Sequence, residues 1–82
     1  MNNTRDKINN IIAKTINVDI GSLNDNSGLN NITEWDSVSH TNIILSLEQE
    51  FDIEFGFDEF DKLINLKYIE KSIIDKLNEN NI

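Results

Sequence analysis

Residues 17–35, NVDIGSLNDNSGLNNITEW, carry neither a helical nor a strand period, and in a chain of 82 residues that stretch limits every possible fold. Long connections of this kind inside a compact domain are functional or pinned down. Val18, Ile20, Leu23, Leu29, Ile32 and Trp35 are its candidate pins. The rest of the chain must therefore supply packed elements onto which such a loop can fold.

Those elements read as helices. Ile8, Ile11, Ile12 and Ile16 follow the i, i+3, i+4, i+8 spacing of one helical face. Asn3 or Thr4 is placed to cap that helix, and Asn17 and Gly21 end its pattern. After the loop, Asp36 or Ser37 caps a second helix running to about Phe51. FDIEF, Phe51 to Phe55, alternates like a strand, but no second strand exists to pair with it, so an extended connector is predicted. Phe57, Phe60 and Ile64 suit a short third helix with Asp58 and Glu59 in its first turn. Leu66, Ile69, Ile73 and Leu77 give a fourth, and the tail NENNI is expected to fray. No repeat or interdomain linker is visible, and a chain of this size has surface enough for one modest core. The prediction is a single domain over residues 1–82, an all-α four-helix bundle with a long first loop and a short third helix.

Composition then removes several kinds of chemistry. With no Cys and one His, disulfides, thiolate catalysis, Cys-ligated zinc and a His-rich metal site are excluded. No run approaches the ~18 apolar residues of a membrane helix, and the polar start MNNTRDK does not read as a signal peptide. A soluble cytoplasmic protein is expected. The net charge of −8 argues against nucleic acid, whose phosphates such a surface repels. It favours basic protein partners, although the same acidity also serves solubility alone.

The second helix has more apolar residues than one core face needs. At ~100° per residue, His40, Ile43, Ile44, Leu47 and Phe51 share one sector, the width of a core-facing stripe. Val38 and Leu45 lie more than ~90° from that stripe, together on the flank. Thr41 and Glu48 sit between Ser37 and this flank. Exposed aliphatics beside a polar serine form a small docking patch, or they cover the long loop or another helix.

Two catalytic or metal readings fail on spacing. Ser37 and His40 are neighbours on a helix, with Asp36 before them, but no glycine-rich elbow surrounds the serine, so short a chain offers little pocket, and adjacent helical positions rarely give a triad's geometry. His40 is predicted to be a partly buried packing residue. In NDNSGLNNITE, setting Gly28 at the glycine of a calcium loop puts Asp25 and Glu34 in register. It also puts Leu23, which has no side-chain oxygen, at the first ligand position. An Asx-rich turn is the better reading. Ser37 itself is an N-cap or first-turn residue, and a hydroxyl there stands where backbone N–H groups and the helix dipole tolerate a phosphate.

Asp36-Ser37-Val38, then Ile43, Ile44, Leu45 and Leu47, then EQEFDIEF from Glu48 to Phe55, resemble an acyl carrier protein. The resemblance extends through the Phe57–Ile64 segment and INLKYIEKSI to cover nearly the whole chain. It implies a carrier and not an enzyme. Ser37 would bear 4′-phosphopantetheine, transferred from coenzyme A by a phosphopantetheinyl transferase that supplies Mg²⁺ and activates the hydroxyl. The arm's thiol would hold an acyl, aminoacyl or peptidyl group as a thioester, which fits a chain without Cys. Asp36 matches the residue that the motif places before the serine. Val38, Thr41, Leu45 and Glu48 match a docking face for partner enzymes: the transferase, a loading ligase, and a downstream synthase or transferase. A monomer is implied. Asn42, where fatty-acid carriers commonly have Glu, and His40 and Thr41 depart from the family's usual residues, and Trp35 before the DS pair looks more like stand-alone carriers of specialised pathways than like the fatty-acid protein. The alternative is an unmodified acidic adaptor that binds proteins through the Val38/Leu45 face.

Overall fold

The computed structural model describes residues 3–29, 31–60 and 62–80, with the backbone alone at Asn3, Phe57, Glu79 and Asn80. The first helix, α1, spans Asn3–Ile16. Thr4 therefore lies inside the first turn and is not its cap, and the side chain of Asn3 lies outside the described ones. α1 ends because Asn17 takes a left-handed conformation (φ 58°) and the Val18 N–H turns back to donate to the Ala13 carbonyl at 3.0 Å. Asn tolerates that conformation better than most residues, which makes this a Schellman stop. Ile8, Ile12 and Ile16 are buried, as their spacing predicts, and Ala13 joins them.

Asp36 caps the second helix, α2, over Ser37–Phe51 by accepting the Ser39 N–H. His40, Ile43, Ile44 and Leu47 form its buried stripe. Asp52 (φ 53°) repeats the left-handed stop, with Ile53 N–H donating to the Glu48 carbonyl at 3.1 Å. Residues 53–56 then form no regular secondary structure, and no described strand pairs with them.

The third helix, α3, is one turn, Phe57–Phe60. Glu59 secures it: its carboxylate accepts the Gly56 N–H at 3.0 Å, the Lys76 ammonium at 2.8 Å and the Ser72 hydroxyl at 3.2 Å. Lys76 above all, then the Gly56 N–H, holds this carboxyl below the usual range. Ile64, expected on α3, lies beyond it and is 47% exposed. Leu63, four residues after Glu59 and bonded to its carbonyl, is the buried residue instead. Phe57, expected on the same face, has a side chain outside the described ones. The fourth helix, α4, spans Leu66–Asn80 behind an Asn65 side chain that accepts the Tyr68 N–H. Leu66, Ile69 and Ile73 are buried, and Leu77 packs against them. The helix continues to Asn80, further than the expected fraying allowed, and Asn81 and Ile82 lie outside the described residues.

The long loop is pinned much as its apolar residues suggest. Trp35 is fully buried, and Val18, Leu23, Leu29 and Ile32 pack partly buried against the core. Ile20 is the exception: it opens a 3-10 turn, Ile20–Ser22, and is 46% exposed. The NDNS segment is an Asx-type turn in which Asn24 Oδ1 accepts the Asn26 N–H and Ser27 Oγ accepts the Asn24 N–H, both at 2.9 Å. A backbone seam then ties the loop to the start of α4. Leu29 donates to Ile64, Leu66 to Ser27 and Lys67 to Asp25, at 2.9, 2.8 and 3.2 Å. Arg5 of α1 reaches the same place, bonding Asp25 at 2.7 Å and Glu70 at 3.3 Å. Each fully buried Ile or Leu of this core contributes roughly 1.5–3 kcal/mol.

Candidate functional site at the start of the second helix

Asp36 is exposed, and the Ser39 backbone N–H, aided by the Ser39 hydroxyl, holds its carboxyl below the usual carboxylate range. Its cap bond is 2.9 Å long. That bond fixes the turn that presents Ser37, the exposed first residue of α2. Among the described residues the Ser37 hydroxyl makes no hydrogen bond, while its carbonyl accepts the Thr41 hydroxyl at 3.1 Å. At a helix start the first N–H groups have no acceptor within the helix, and here Asp36 takes the one at Ser39. The Val38 N–H also bears on the Asp36 carboxylate.

On the flank of α2, Val38 is 71% and Leu45 54% exposed, so the aliphatics outside the core stripe stand at the surface. Thr41 is exposed between them. Glu48 is half-buried, and Oε2 of its carboxylate accepts the Phe55 N–H at 2.9 Å. Beside this flank lies a groove of about 500 Å³ between α2 and α3. Thr41, Ile44 and Leu45 form its α2 side, and Phe55 and Phe60 face them. Leu45 thus belongs both to the exposed face and to the groove.

His40 is buried, 3% exposed, more deeply than a partly covered packing residue. Its Nδ1 accepts the Trp35 indole N–H at 2.9 Å. Burial lowers its pKa, with the Phe60 backbone carbonyl acting the other way, and an Nδ1 that accepts a hydrogen bond belongs to a neutral imidazole. The pairing of a loop tryptophan with a helix histidine across the Asp36 cap was not read from the sequence. The signal was present in WDSVSH: an aromatic just before a cap and a polar residue on the core stripe. Ser37 and His40 are not brought together. The serine faces outward, the imidazole is turned into the core, and no hydrogen bond joins them.

Among the described residues, the helical bundle thus presents an exposed serine hydroxyl without a hydrogen bond at a helix start. No family model matches the chain. It is 33% identical, over 81 residues, to the acyl carrier protein of Buchnera aphidicola subsp. Schizaphis graminum (strain Sg), covering 99% of this chain and 98% of that protein. The solution NMR structure of holo acyl carrier protein from Geobacter metallireducens superposes with a TM-score of 0.84 at 32% identity, covering 98% of this chain and 91% of that one. The chain belongs to the acyl carrier protein family. Proteins of this family are carriers that serve enzyme partners, and no described helix is long and apolar enough to cross a membrane.

Proposed function

We propose that Ser37 is the attachment site for 4′-phosphopantetheine and that Val38, Thr41, Leu45 and Glu48 form the face that partner enzymes engage. The observation that carries this reading is the Ser37 hydroxyl, exposed and unbonded at the first residue of α2. A phosphodiester fits there, since the dipole of α2 favours an anion at this end. In the transfer, Ser37 Oγ bonds to the phosphorus of the pantetheine phosphate while the bond to 3′,5′-ADP breaks. The hydroxyl proton leaves to a base on the transferase, which is why none stands beside Ser37. Bound, the arm supplies a thiol that holds an acyl or aminoacyl group as a thioester. Asp36 contributes by capping α2 and fixing the turn that offers the hydroxyl.

The partners that follow are a phosphopantetheinyl transferase, a loading ligase and a downstream synthase or transferase, all cytoplasmic, acting on a monomer. Trp35 and Asn42 support a specialised biosynthetic pathway over bulk fatty-acid synthesis. Incubation with coenzyme A, Mg²⁺ and a broad-specificity phosphopantetheinyl transferase, followed by intact-mass measurement, tests the reading. One phosphopantetheinyl adduct is expected on the natural chain and none on Ser37→Ala. A natural chain that stays unmodified with several transferases would leave only an adaptor role for this face.

A further inference from the structure

Trp35 and His40 straddle the cap of α2. With Asp36 as the N-cap, Trp35 is the residue before the cap and His40 the fourth residue of the helix. An apolar contact between those two positions commonly fixes the angle at which a chain enters a helix. Here both side chains are buried, and the contact is also a hydrogen bond, the indole N–H donating to His40 Nδ1 at 2.9 Å. Ser37 lies between the two. On its N-terminal side the Trp35 backbone N–H donates to the Ile32 carbonyl at 3.0 Å, closing the turn that ends the loop. On the other side the His40 N–H donates to the Asp36 carbonyl at 2.8 Å and the Ser39 N–H to the Asp36 carboxylate at 2.9 Å. The Asp36 cap is exposed, so of the two side-chain links across this turn only the Trp35–His40 bond is shielded from water.

We propose that Trp35 and His40 are positioning residues for phosphopantetheine transfer: their buried hydrogen bond fixes the first turn of α2 and so the direction in which Ser37 Oγ meets the phosphorus. The inference rests on Ser37 bearing the arm. Packing alone tolerates small rotations of an aromatic ring against a helix, whereas an N–H aimed at Nδ1 weakens steeply when its angle changes. The imidazole is itself held on its other side, where the edge of the Phe60 ring stands 5.2 Å from it, centroid to centroid, at 73°. Removing either partner leaves the other buried without its hydrogen bond, and the first turn shifts to relieve that cost. A displaced nucleophile loses rate and not binding. Thr41, Leu45 and Glu48 lie one to three turns further along α2, so the grip of the transferase on that face is kept.

The test is steady-state transfer from coenzyme A, with Mg²⁺ and a broad-specificity phosphopantetheinyl transferase, to the full chain and three variants. Trp35→Phe removes the donor, His40→Phe removes the acceptor, and His40→Asn puts an amide oxygen where Nδ1 stood. The first two should lower kcat about tenfold and leave KM for the carrier within about twofold, the pattern of a misplaced nucleophile. His40→Asn should restore most of the lost kcat. Unchanged kcat in folded Trp35→Phe or His40→Phe overturns the proposal. A raised KM with kcat kept also overturns it, because the pair then serves docking, as does a His40→Asn no faster than His40→Phe. Hydrogen exchange on the natural chain decides the matter even if no variant folds. Corrected for intrinsic rates, the Trp35 indole N–H and the Ser39 amide should open within about tenfold of each other, since one turn carries both. A Ser39 amide that opens faster than that moves while the indole bond stays closed, and the positioning role falls. A natural chain that takes up no phosphopantetheine removes the carrier reading itself, whereas the positioning role fails only on a chain that is modified.

Discussion

At the scale of single residues, the start of α2 is set by short-range decisions within one turn. Asp36 spends its carboxylate on Ser39, which leaves the Ser37 hydroxyl outward, and Trp35 spends its indole N–H on His40, which turns the only histidine inward. The second bond makes stability depend on pH. Burial holds the folded-state pKa of His40 below its ordinary value of about 6.5, so as pH falls the unfolded chain takes up the proton first. The contribution of the neutral ring is complete above about pH 6.5 and is lost as pH falls through the folded value. Asp36 and Glu59, whose carboxyls are held low, also lose their contributions on acidification, but at lower pH. Urea unfolding of the natural chain at about pH 7.5 and about pH 5.5 should therefore show a loss that His40→Phe does not share, whatever the variant's absolute stability. An identical loss in both proteins would assign the pH dependence to other groups. The outward serine was legible in the sequence because a cap is a local motif. The Trp35–His40 bond was not, because it depends on how the loop returns to α2.

At the scale of elements, α1, α2 and α4 follow from apolar spacing, since each buries one stripe, and Asn17 and Asp52 stop the first two. Periodicity failed where the elements are too short to have a period. Ile64 was assigned to α3, but the helix is a single turn, so Leu63 and not Ile64 meets the core. Ile20 resembled the other loop pins, yet the 3-10 turn carries it outward, a matter of backbone conformation that composition does not encode. The second face of α2 was legible for the opposite reason. Val38 and Leu45 violate the core pattern, and the structure leaves both in solvent. If that face is where partners grip, Leu45→Glu should lower the kcat/KM of phosphopantetheine transfer about tenfold, the effect of losing a central apolar contact. The far-UV circular dichroism should be unchanged, because the side chain packs against nothing in the core. Undiminished transfer would show that the enzymes dock elsewhere.

At the scale of the whole molecule, the loop that first limited the fold is held by a backbone seam, and Gly28 lies in its antiparallel bridge to Asn65. A Cβ there would overlap the Ile64 carbonyl oxygen and stand 2.6 Å from Asn65 Cα, both backbone atoms that cannot turn aside. Gly28→Ala should cost about 3 kcal/mol or more in urea unfolding, in the range of severe backbone and packing defects. Gly21→Ala, where a Cβ meets nothing within 4 Å, should change stability by less than about 0.5 kcal/mol. Equal effects would show that the seam opens freely. Charge acts over the same distances. The described ion pairs (Arg5 with Asp25 and Glu70, Lys7 with Glu50, Lys76 with Glu59) are mostly exposed and worth about 0–1 kcal/mol each. The net charge of −8 on a small body opposes compaction as a whole. Raising salt from about 10 mM to about 150 mM shortens the screening length from about 30 Å to about 8 Å and weakens both effects. Because the repulsion is summed over the whole surface, its relief should dominate, and Tm should rise by about 4–8 °C, equivalent to about 1 kcal/mol for a domain of this size. The same salt should slow association with a basic partner, since steering depends on the unscreened field. Stability and docking rate moving in opposite directions would identify the acidity as kept for partners at a cost to the fold. A falling Tm would mean that the few ion pairs outweigh the net charge.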